Sequence, residues 1–325
     1  MDRKQAKPED LPPLELRRLR DLDVRRDDGD ERPGFIASAS AVVRRGDFTY
    51  VIGDDELDLA IFEISSGEPG TMRQALAGEV PDDPDERRRE KADLEALTAM
   101  PPFEGVPYGG LLGLGSGSKR SRDRGFFWEL GADGSLQGDP VAIDLQPLYD
   151  TLRKEIEELN IEGAAVLGGR FALFHRGNAE GSENAVAELS LEQVLGSLRG
   201  DHDLDPEELE RVAVYDLGEL DGCRLSFSDA TALTDDLVAF TASAEGGGSS
   251  GDDGSIHGSV VGTIDSSGSI TRLRTIDRKW KVEGVHASID AGVIDFVFVC
   301  DQDEPEEPSP LLSATMPAAE GLESG

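Results

Sequence analysis

Apolar residues along this chain come in short runs rich in Val, Ile, Leu, Phe and Thr, bounded by Gly, Asp, Asn and Pro. Runs of roughly four to eight residues between such breakers read as β-strands, whereas a helix needs a period of about 3.6 sustained for longer. One series gives strands at Ile161 to Leu167, Phe171 to His175, Ala185 to Leu189 and Val212 to Leu217. Another gives Leu225 to Ala232, Leu237 to Ala242, Gly258 to Ile264 and Ile270 to Ile276, and an earlier one Leu94 to Ala99, Gly110 to Gly115, Gly125 to Leu130 and Val141 to Leu145. Helices are expected only at Pro147 to Glu158 and at Pro206 to Arg211, the latter inside the acidic insert Ser197 to Glu210.

Each of these series opens on or near a short acidic phrase: Asp93-Leu94-Glu95-Ala96, Asn160-Ile161-Glu162-Gly163 and Phe227-Ser228-Asp229-Ala230, with a fourth at Lys281-Val282-Glu283-Gly284. The acids fall at intervals of 67, 67 and 54 residues. Four strands recurring behind one phrase describe the blades of a β-propeller. A first unit, with Ile36 to Ser40, Phe48 to Ile52, Leu57 to Ile64 and Met72 to Leu76, lacks the acid. The last unit offers only Val282 to Ala287, Val293 to Cys300 and Leu311 to Thr315, so Leu14 to Val24 is expected to supply its fourth strand and close the ring. The expected fold is therefore all-β, a five-bladed propeller of four-stranded antiparallel blades, or six-bladed if the acidic insert hides a blade. A pair of β-sandwiches is the competing architecture, but it gives no reason for the phrase to recur. The expected domain organisation is a flexible segment 1–12, one propeller domain over 13–316 and a flexible tail 317–325.

Blade topology turns the repeat into a place. If each acid opens the innermost strand at one rim of the channel, the second strand runs back and ends at the same rim. Its end residues are Asp54 and Asp55, Ser116 and Ser118, Arg176 and Asn178, Ser243 and Glu245, and Asp301 and Asp303 in the successive units. Glu95, Glu162, Asp229 and Glu283 would repel one another there, so the rim must hold protonated acids, basic side chains, water or a hard cation. They are the candidate metal ligands, and calcium suits such an oxygen set. The alternative is that each acid binds backbone N–H groups of a neighbouring blade and locks the ring. Arg176, Asn178, Ser116, Ser118, Lys281, Glu245 and Asp301 are the candidate ligand-binding residues. No catalytic residue can be named. Lys119, Arg120, Arg122 and Arg124 read as a solvated hairpin tip.

Charge narrows the partners. With 32 basic and 67 acidic residues in 325, the formal charge is −35, and such a surface repels nucleic acid and anionic lipid. No apolar stretch approaches the length of about 18 residues that a membrane span requires. A soluble, cytoplasmic, monomeric protein is expected, with a small molecule or protein partner at the rim and no nucleic-acid or membrane partner. Cys223 and Cys300 imply no disulfide framework, and Cys300 reads as a core residue. Leu111 to Lys119 fits neither the P-loop nor the dinucleotide fingerprint, and the four histidines, His175, His202, His257 and His286, lack zinc-ligand spacing.

The phrases Asp93-Leu94-Glu95-Ala96-Leu97, Asn160-Ile161-Glu162-Gly163 and Val282-Glu283-Gly284 resemble the D-x-E-G elements of phytase-like and esterase-like β-propellers. Leu114-Gly115-Ser116-Gly117-Ser118, His175-Arg176-Gly177-Asn178 and Asp301-Gln302-Asp303-Glu304-Pro305 resemble an uncharacterised bacterial branch of them, over roughly Phe35 to Met316. The resemblance implies a propeller with calcium sites on the channel axis. The chain departs from the phosphate-processing members in having few lysines near the rim. Two functions are thus expected: binding of a small ligand, cation or partner at the acidic rim, or calcium-assisted hydrolysis of a phosphoester or carboxylic ester, with Arg176 and Lys281 holding the anionic group.

Overall fold

The computed structural model describes residues 2–26, 32–81, 91–179, 181–200, 203–204, 209–246, 256–302 and 304–318. Three short strands come first: β1 (Asp2–Gln5), β2 (Arg17–Asp21) and β3 (Val24–Arg25). Blade one is β4 (Ala39–Arg45), β5 (Phe48–Gly53), β6 (Asp58–Glu63) and β7 (Gly70–Gln74). Blade two is β8 (Leu94–Met100), β9 (Gly110–Gly115), β10 (Arg124–Glu129) and β11 (Val141–Asp144), followed by helix α1 (Gln146–Leu152). Blade three is β12 (Ile161–Leu167), β13 (Arg170–His175), β14 (Asn184–Ser190) and, after helix α2 (Leu191–Arg199), β15 (Arg211–Asp216). Blade four is the hairpin strand β16 (Glu219–Leu220) with β17 (Cys223–Thr234), β18 (Leu237–Glu245), β19 (Ile256–Asp265) and β20 (Ile270–Thr275). Blade five is β21 (Val282–Asp290), β22 (Val293–Cys300) and β23 (Pro310–Pro317).

These strands form five separate sheets, so the fold is the expected five-bladed β-propeller. Blade five takes its outermost strand from the start of the chain: β2 lies antiparallel to β23, with Arg17 opposite Ser313 and Asp21 opposite Pro310. Chain ends therefore close the ring. The blades are not uniformly four-stranded, since β3 adds to β7 and β1 to β15, both parallel. Residues 1–12, expected to be a flexible lead, thus carry a strand paired on blade three, while 319–325 of the expected flexible tail lie outside the described residues.

Of the helix expected at Pro206 to Arg211, 206–208 lie outside the described residues, and 209–211 are not helical. Arg211 opens β15, and a helix lies earlier, at α2. Leu191, Val194, Leu195 and Leu198 recur at helical spacing and pack on the core between blades two and three. α1 begins near the expected place but ends at Leu152, after which only turns reach Glu158. No helix among the described residues is long and apolar enough to cross a membrane.

Burial is arranged in five apolar clusters, one in each gap between neighbouring blades. In the gap between blades three and four, Phe227 of β17 meets Phe174, Tyr215 and Phe240 edge-on, at ring separations of 5.2, 5.7 and 5.2 Å. Such edge-to-face pairs add about 0.5–1.5 kcal/mol each beyond the burial of their surface. Cys300 is a buried free thiol in the core of blade five, as expected.

What sets the axis is a fault repeated in every innermost strand. The register between first and second strand slips by one residue at Ala39/Ala41, Leu94/Ala96, Ile161/Gly163, Phe227/Asp229 and Val282/Gly284. A β-bulge leaves its extra residue out of the ladder and re-aims its side chain. The extra residues are Ser40, Glu95, Glu162, Ser228 and Glu283. The residue after each lies against the backbone of the next blade: a Cβ on Gly163 would sit 2.6 Å from the amide nitrogen of Ala230, and one on Gly284 2.7 Å from the Cα of Ala41. Glycine follows Glu162 and Glu283 because neither place has room for a side chain.

Replacing Gly163 with Ala should therefore lower the unfolding free energy by about 1–3 kcal/mol in urea titration. Gly196→Ala, in α2 with open space around it, should instead be neutral or stabilising by up to about 1 kcal/mol. Equal effects at the two positions would refute a backbone-contact role for Gly163.

Candidate functional site: the acid mouth of the channel

The bulges lie at the start of the innermost strands, and the second strands end beside them: Leu94 is opposite Gly115, Ile161 opposite His175, Leu225 opposite Ala244 and Val282 opposite Cys300. Strand starts and strand ends thus share one mouth, where backbone bonds stitch successive blades together. Asp93 N–H donates to the Asp54 carbonyl at 3.1 Å, and Ile161 N–H to that of Ser116 at 2.8 Å.

One half of the mouth is organised by Arg176, which is only 8% exposed. Its Nη2 donates to Glu245 Oε1 at 2.5 Å, and its Nη1 lies 3.4 Å from Glu162 Oε2 and 3.8 Å from Glu283 Oε2. Lys281 Nζ lies 3.3 Å from Glu283 Oε1 and 3.8 Å from Glu245 Oε1. Burial opposes ionisation of Glu245, but the charges of Arg176 and Lys281 outweigh it and hold that carboxyl below its ordinary range. Glu162 is pushed up to about 7 by burial, reinforced by Glu283, Asp93 and Glu245 and resisted by Arg176. Glu283 is raised too, chiefly by burial. Asn160 completes the group, its Nδ2 donating to Glu162 Oε1 at 2.6 Å.

The other half is organised by Lys91. Its ammonium pairs with Asp54 and lies 2.9 Å from Asp93 Oδ1. Asp93 Oδ2 also accepts from Arg122 Nη1 at 2.6 Å and from the Ser116 hydroxyl, while Ser118 Oγ accepts from Arg122 at 2.6 Å. Glu95 faces this group from the bulge of β8. Carboxylate oxygens of Asp54, Asp93 and Glu95 lie within 4.8 Å of one another, a spacing open to a metal ion. Glu95 itself is half-buried and has no hydrogen bond or ion pair among the described residues. Burial, then the charges of Glu162, Asp93 and Asp54, hold its carboxyl well above the usual range.

Of the four acids expected to converge, the structure brings Glu95, Glu162 and Glu283 to the channel and sets Asp229 behind it. The bulge of β17 falls on Ser228, so the phrase in blade four is out of step by one residue and Asp229 takes the place of Gly163 and Gly284. Fully buried, Asp229 accepts the N–H of Ala230 and, from the next blade, that of Val285, both at 2.7 Å. It acts as the lock between blades. Ser116, Arg176, Glu245 and Lys281 belong to the mouth, whereas Ser118 is exposed beside it and Asn178 is exposed in the loop after β13. Asp301 pairs with Ser38 across blades five and one, and Asp303 lies outside the described residues.

Three residues escaped the sequence reading. Lys91 and Asp93 precede β8, and the run Lys91-Ala92-Asp93-Leu94-Glu95 carries the signal, a cation and two acids at alternate positions. Arg122, within the run that reads as a solvated hairpin tip, is 9% exposed and turned inward, while Arg120 of the same run is exposed and pairs with Asp150. His175 is fully buried, bonded to the Asn160 backbone and 3.3 Å from Ser182 Oγ, and burial pushes it down to about 4; it is a neutral structural group.

Two outcomes test these roles. Asp229→Ala strands the Val285 N–H in the core and should cost about 1–3 kcal/mol in denaturant unfolding, with or without calcium. For Glu162, a carboxyl raised to about 7 in the folded state binds more protons than its unfolded counterpart near 4.3. Its contribution to stability is full below about 4.3 and is lost as pH rises to about 7. Relative to Glu162→Gln, the natural chain should therefore lose stability across that window; parallel pH–stability curves would contradict the assignment.

The family model described as "Family of unknown function (DUF6929)" matches residues 35–316. No curated protein sequence matches the chain. Among solved structures, the α-L-arabinofuranosidase of Podospora anserina, crystallised with cellotriose, is similar with a TM-score of 0.51 at 11% identity, covering 96% of this chain and 100% of that one. The glutaminyl cyclase of Myxococcus xanthus reaches a TM-score of 0.46 at 10% identity over 94% and 100% of the two chains. A putative exported protein of Bacteroides fragilis reaches 0.38 at 10% identity over 98% and 100%. At 11% identity the first of these likenesses speaks to fold alone, whereas the family match runs from before β4 into β23, and the chain belongs to the DUF6929 family.

Proposed function

We propose that the acid mouth binds a small cationic ligand, an amine-bearing molecule or a calcium ion. The observation that carries this reading is Glu95: a half-buried carboxyl without a partner among the described residues, beside the acids Asp54, Asp93 and Glu162. Asp54, Asp93, Glu162, Glu245 and Glu283 are engaged by Lys91, Arg122, Arg176 or Lys281. A positive ligand entering beside Glu95 would meet a carboxyl whose ionisation its own charge favours. Calcium would take oxygens from Asp54, Asp93 and Glu95, displacing the Lys91 ammonium; an organic ammonium needs only Glu95 and Glu162.

Hydrolysis is the second reading, and the spread of carboxyl affinities favours it. Glu162 near 7 and Glu95, held well above the usual carboxylate range, stand beside Asp93, which Lys91 and Arg122 hold as an ion pair, so a proton donor and an anionic group are neighbours. A phytase-like or esterase-like reaction, which the D-x-E-G phrases imply, would also need cations free to hold the anionic group. Arg176 and Lys281 are instead engaged by Glu162, Glu245 and Glu283, which weighs against it.

Titration calorimetry with calcium and with putrescine decides between them. At least one should bind saturably, and Glu95→Gln should weaken it tenfold or more while leaving thermal stability equal or higher, since the amide cannot take on the charge that burial and the neighbouring acids oppose. Unchanged affinity in Glu95→Gln would overturn the binding reading. Turnover of a generic ester or phosphoester by the folded protein, lost in Glu162→Gln, would replace it with hydrolysis.

A further inference from the structure

The innermost strands open at the acid mouth and end at the opposite one, where a second cavity of about 250 Å³ lies between the ends of β4, β8, β17 and β21. Its polar lining is Arg45, Thr98, Thr231, Thr234, His286 and Ser288, with no carboxylate among the lining residues. In a chain of 67 acidic and 32 basic residues that composition runs against the average surface.

Arg45 is the unusual member. Its side chain makes no ion pair or hydrogen bond among the described residues, and neither does that of Arg44 beside it. Surrounding protein pushes the Arg45 guanidinium below its ordinary range, with no acid close enough to counter the effect. His286, on the facing strand, has a buried Nδ1 without a partner. Burial, then the charges of Arg45 and Arg44, push its imidazole down to about 3, so the field of both arginines reaches this ring. Thr98 and Thr231, 4% and 9% exposed, have hydroxyls with no hydrogen bond to the described residues.

We propose that this basic mouth binds a small oxyanion, a carboxylate or a phosphate group. The guanidinium fork of Arg45 offers paired N–H donors matched to two oxygens of such a group. The Thr98 and Thr231 hydroxyls donate from the walls, and the His286 ring supplies a further polar contact in whichever tautomer the ligand selects. Donors without an accompanying acid recognise an anion and reject a cation, the reverse of the acid mouth. The volume limits the bound part to a few heavy atoms beyond the anionic group.

Titration calorimetry with inorganic phosphate and with malonate, each at ionic strength matched by sodium chloride, tests the site. Saturable binding of phosphate alone assigns a tetrahedral oxyanion, and of malonate alone a carboxylate. Arg45→Ala should weaken the bound probe tenfold or more, and Thr231→Val severalfold, while Glu95→Gln at the far mouth leaves it unchanged. Arg45 is on the exposed end of β4, so its variant should fold, which circular dichroism checks. No saturation by either probe up to about 10 mM, or equal binding by Arg45→Ala, overturns the proposal.

Discussion

Backbone meets backbone around the axis of this propeller, and the rest of the molecule accommodates that approach. With inner strands this close, each cannot keep an unbroken ladder to its second strand and also present a side chain to the channel, and the bulge resolves the conflict. One residue leaves the ladder and faces the mouth; the next must be small. Ala41, Ala96, Gly163 and Gly284 obey. Asp229 does not, and the exception explains itself, because its carboxyl takes the place of a backbone contact by accepting the N–H of Val285 from the next blade. Ser228 Oγ and Ser243 Oγ add donors to the Val282 carbonyl at 3.1 and 3.0 Å, so side chains reinforce the junction of blades four and five.

The bulge requires an extra residue but not an acid. Ser40 and Ser228 occupy the same position as Glu95, Glu162 and Glu283, and the ring closes through them equally well. Acids here bring desolvation and mutual repulsion, which Lys91, Arg122, Arg176 and Lys281 only partly offset. Ion pairs in such surroundings seldom stabilise a fold more than apolar or hydroxyl replacements do. The fold therefore gives no account of three glutamates at the mouth, and of Glu95 least, since it is the one left without a cation. That asymmetry sets Glu95 apart from the other positions of one ring of equivalent bulges.

Much of this was legible in the sequence, for reasons that also mark where legibility ends. Strand runs and the recurring phrase carried blade count, ring closure by β2 and the meeting of strand starts with strand ends at one mouth, because propeller periodicity is written in local patterning. The misplacement of Asp229 by one step is of another kind: a bulge is a register choice between strands, and Ser-Asp-Ala matches Ile-Glu-Gly in composition while shifting against it in space. α2 was missed because Ala185 to Leu198 is one apolar stretch in which period two passes into helical period without a Gly or Pro between them. Arg122 and Arg120 stand two residues apart in a basic run, one buried and one exposed, and only the position of Asp93 distinguishes them.

Because all five inner strands run the same way along the axis, residue order within a strand becomes position along the channel. Glutamates near strand starts make one mouth acidic; Arg45 and His286, at or beyond the middle of their strands, fall toward the other. Opposite charges at the two ends of one low-dielectric passage would attract if they were close, yet Arg45 has no acid near enough to shift its guanidinium upward. The separation persists in a chain with twice as many acids as bases, where an unpaired arginine is the least expected surface group and an unpaired glutamate the most. Chance arrangement of that excess charge would sooner have paired Arg45 than left it without an acid among the described residues, so the basic mouth calls for a more specific physical cause than the acidic one.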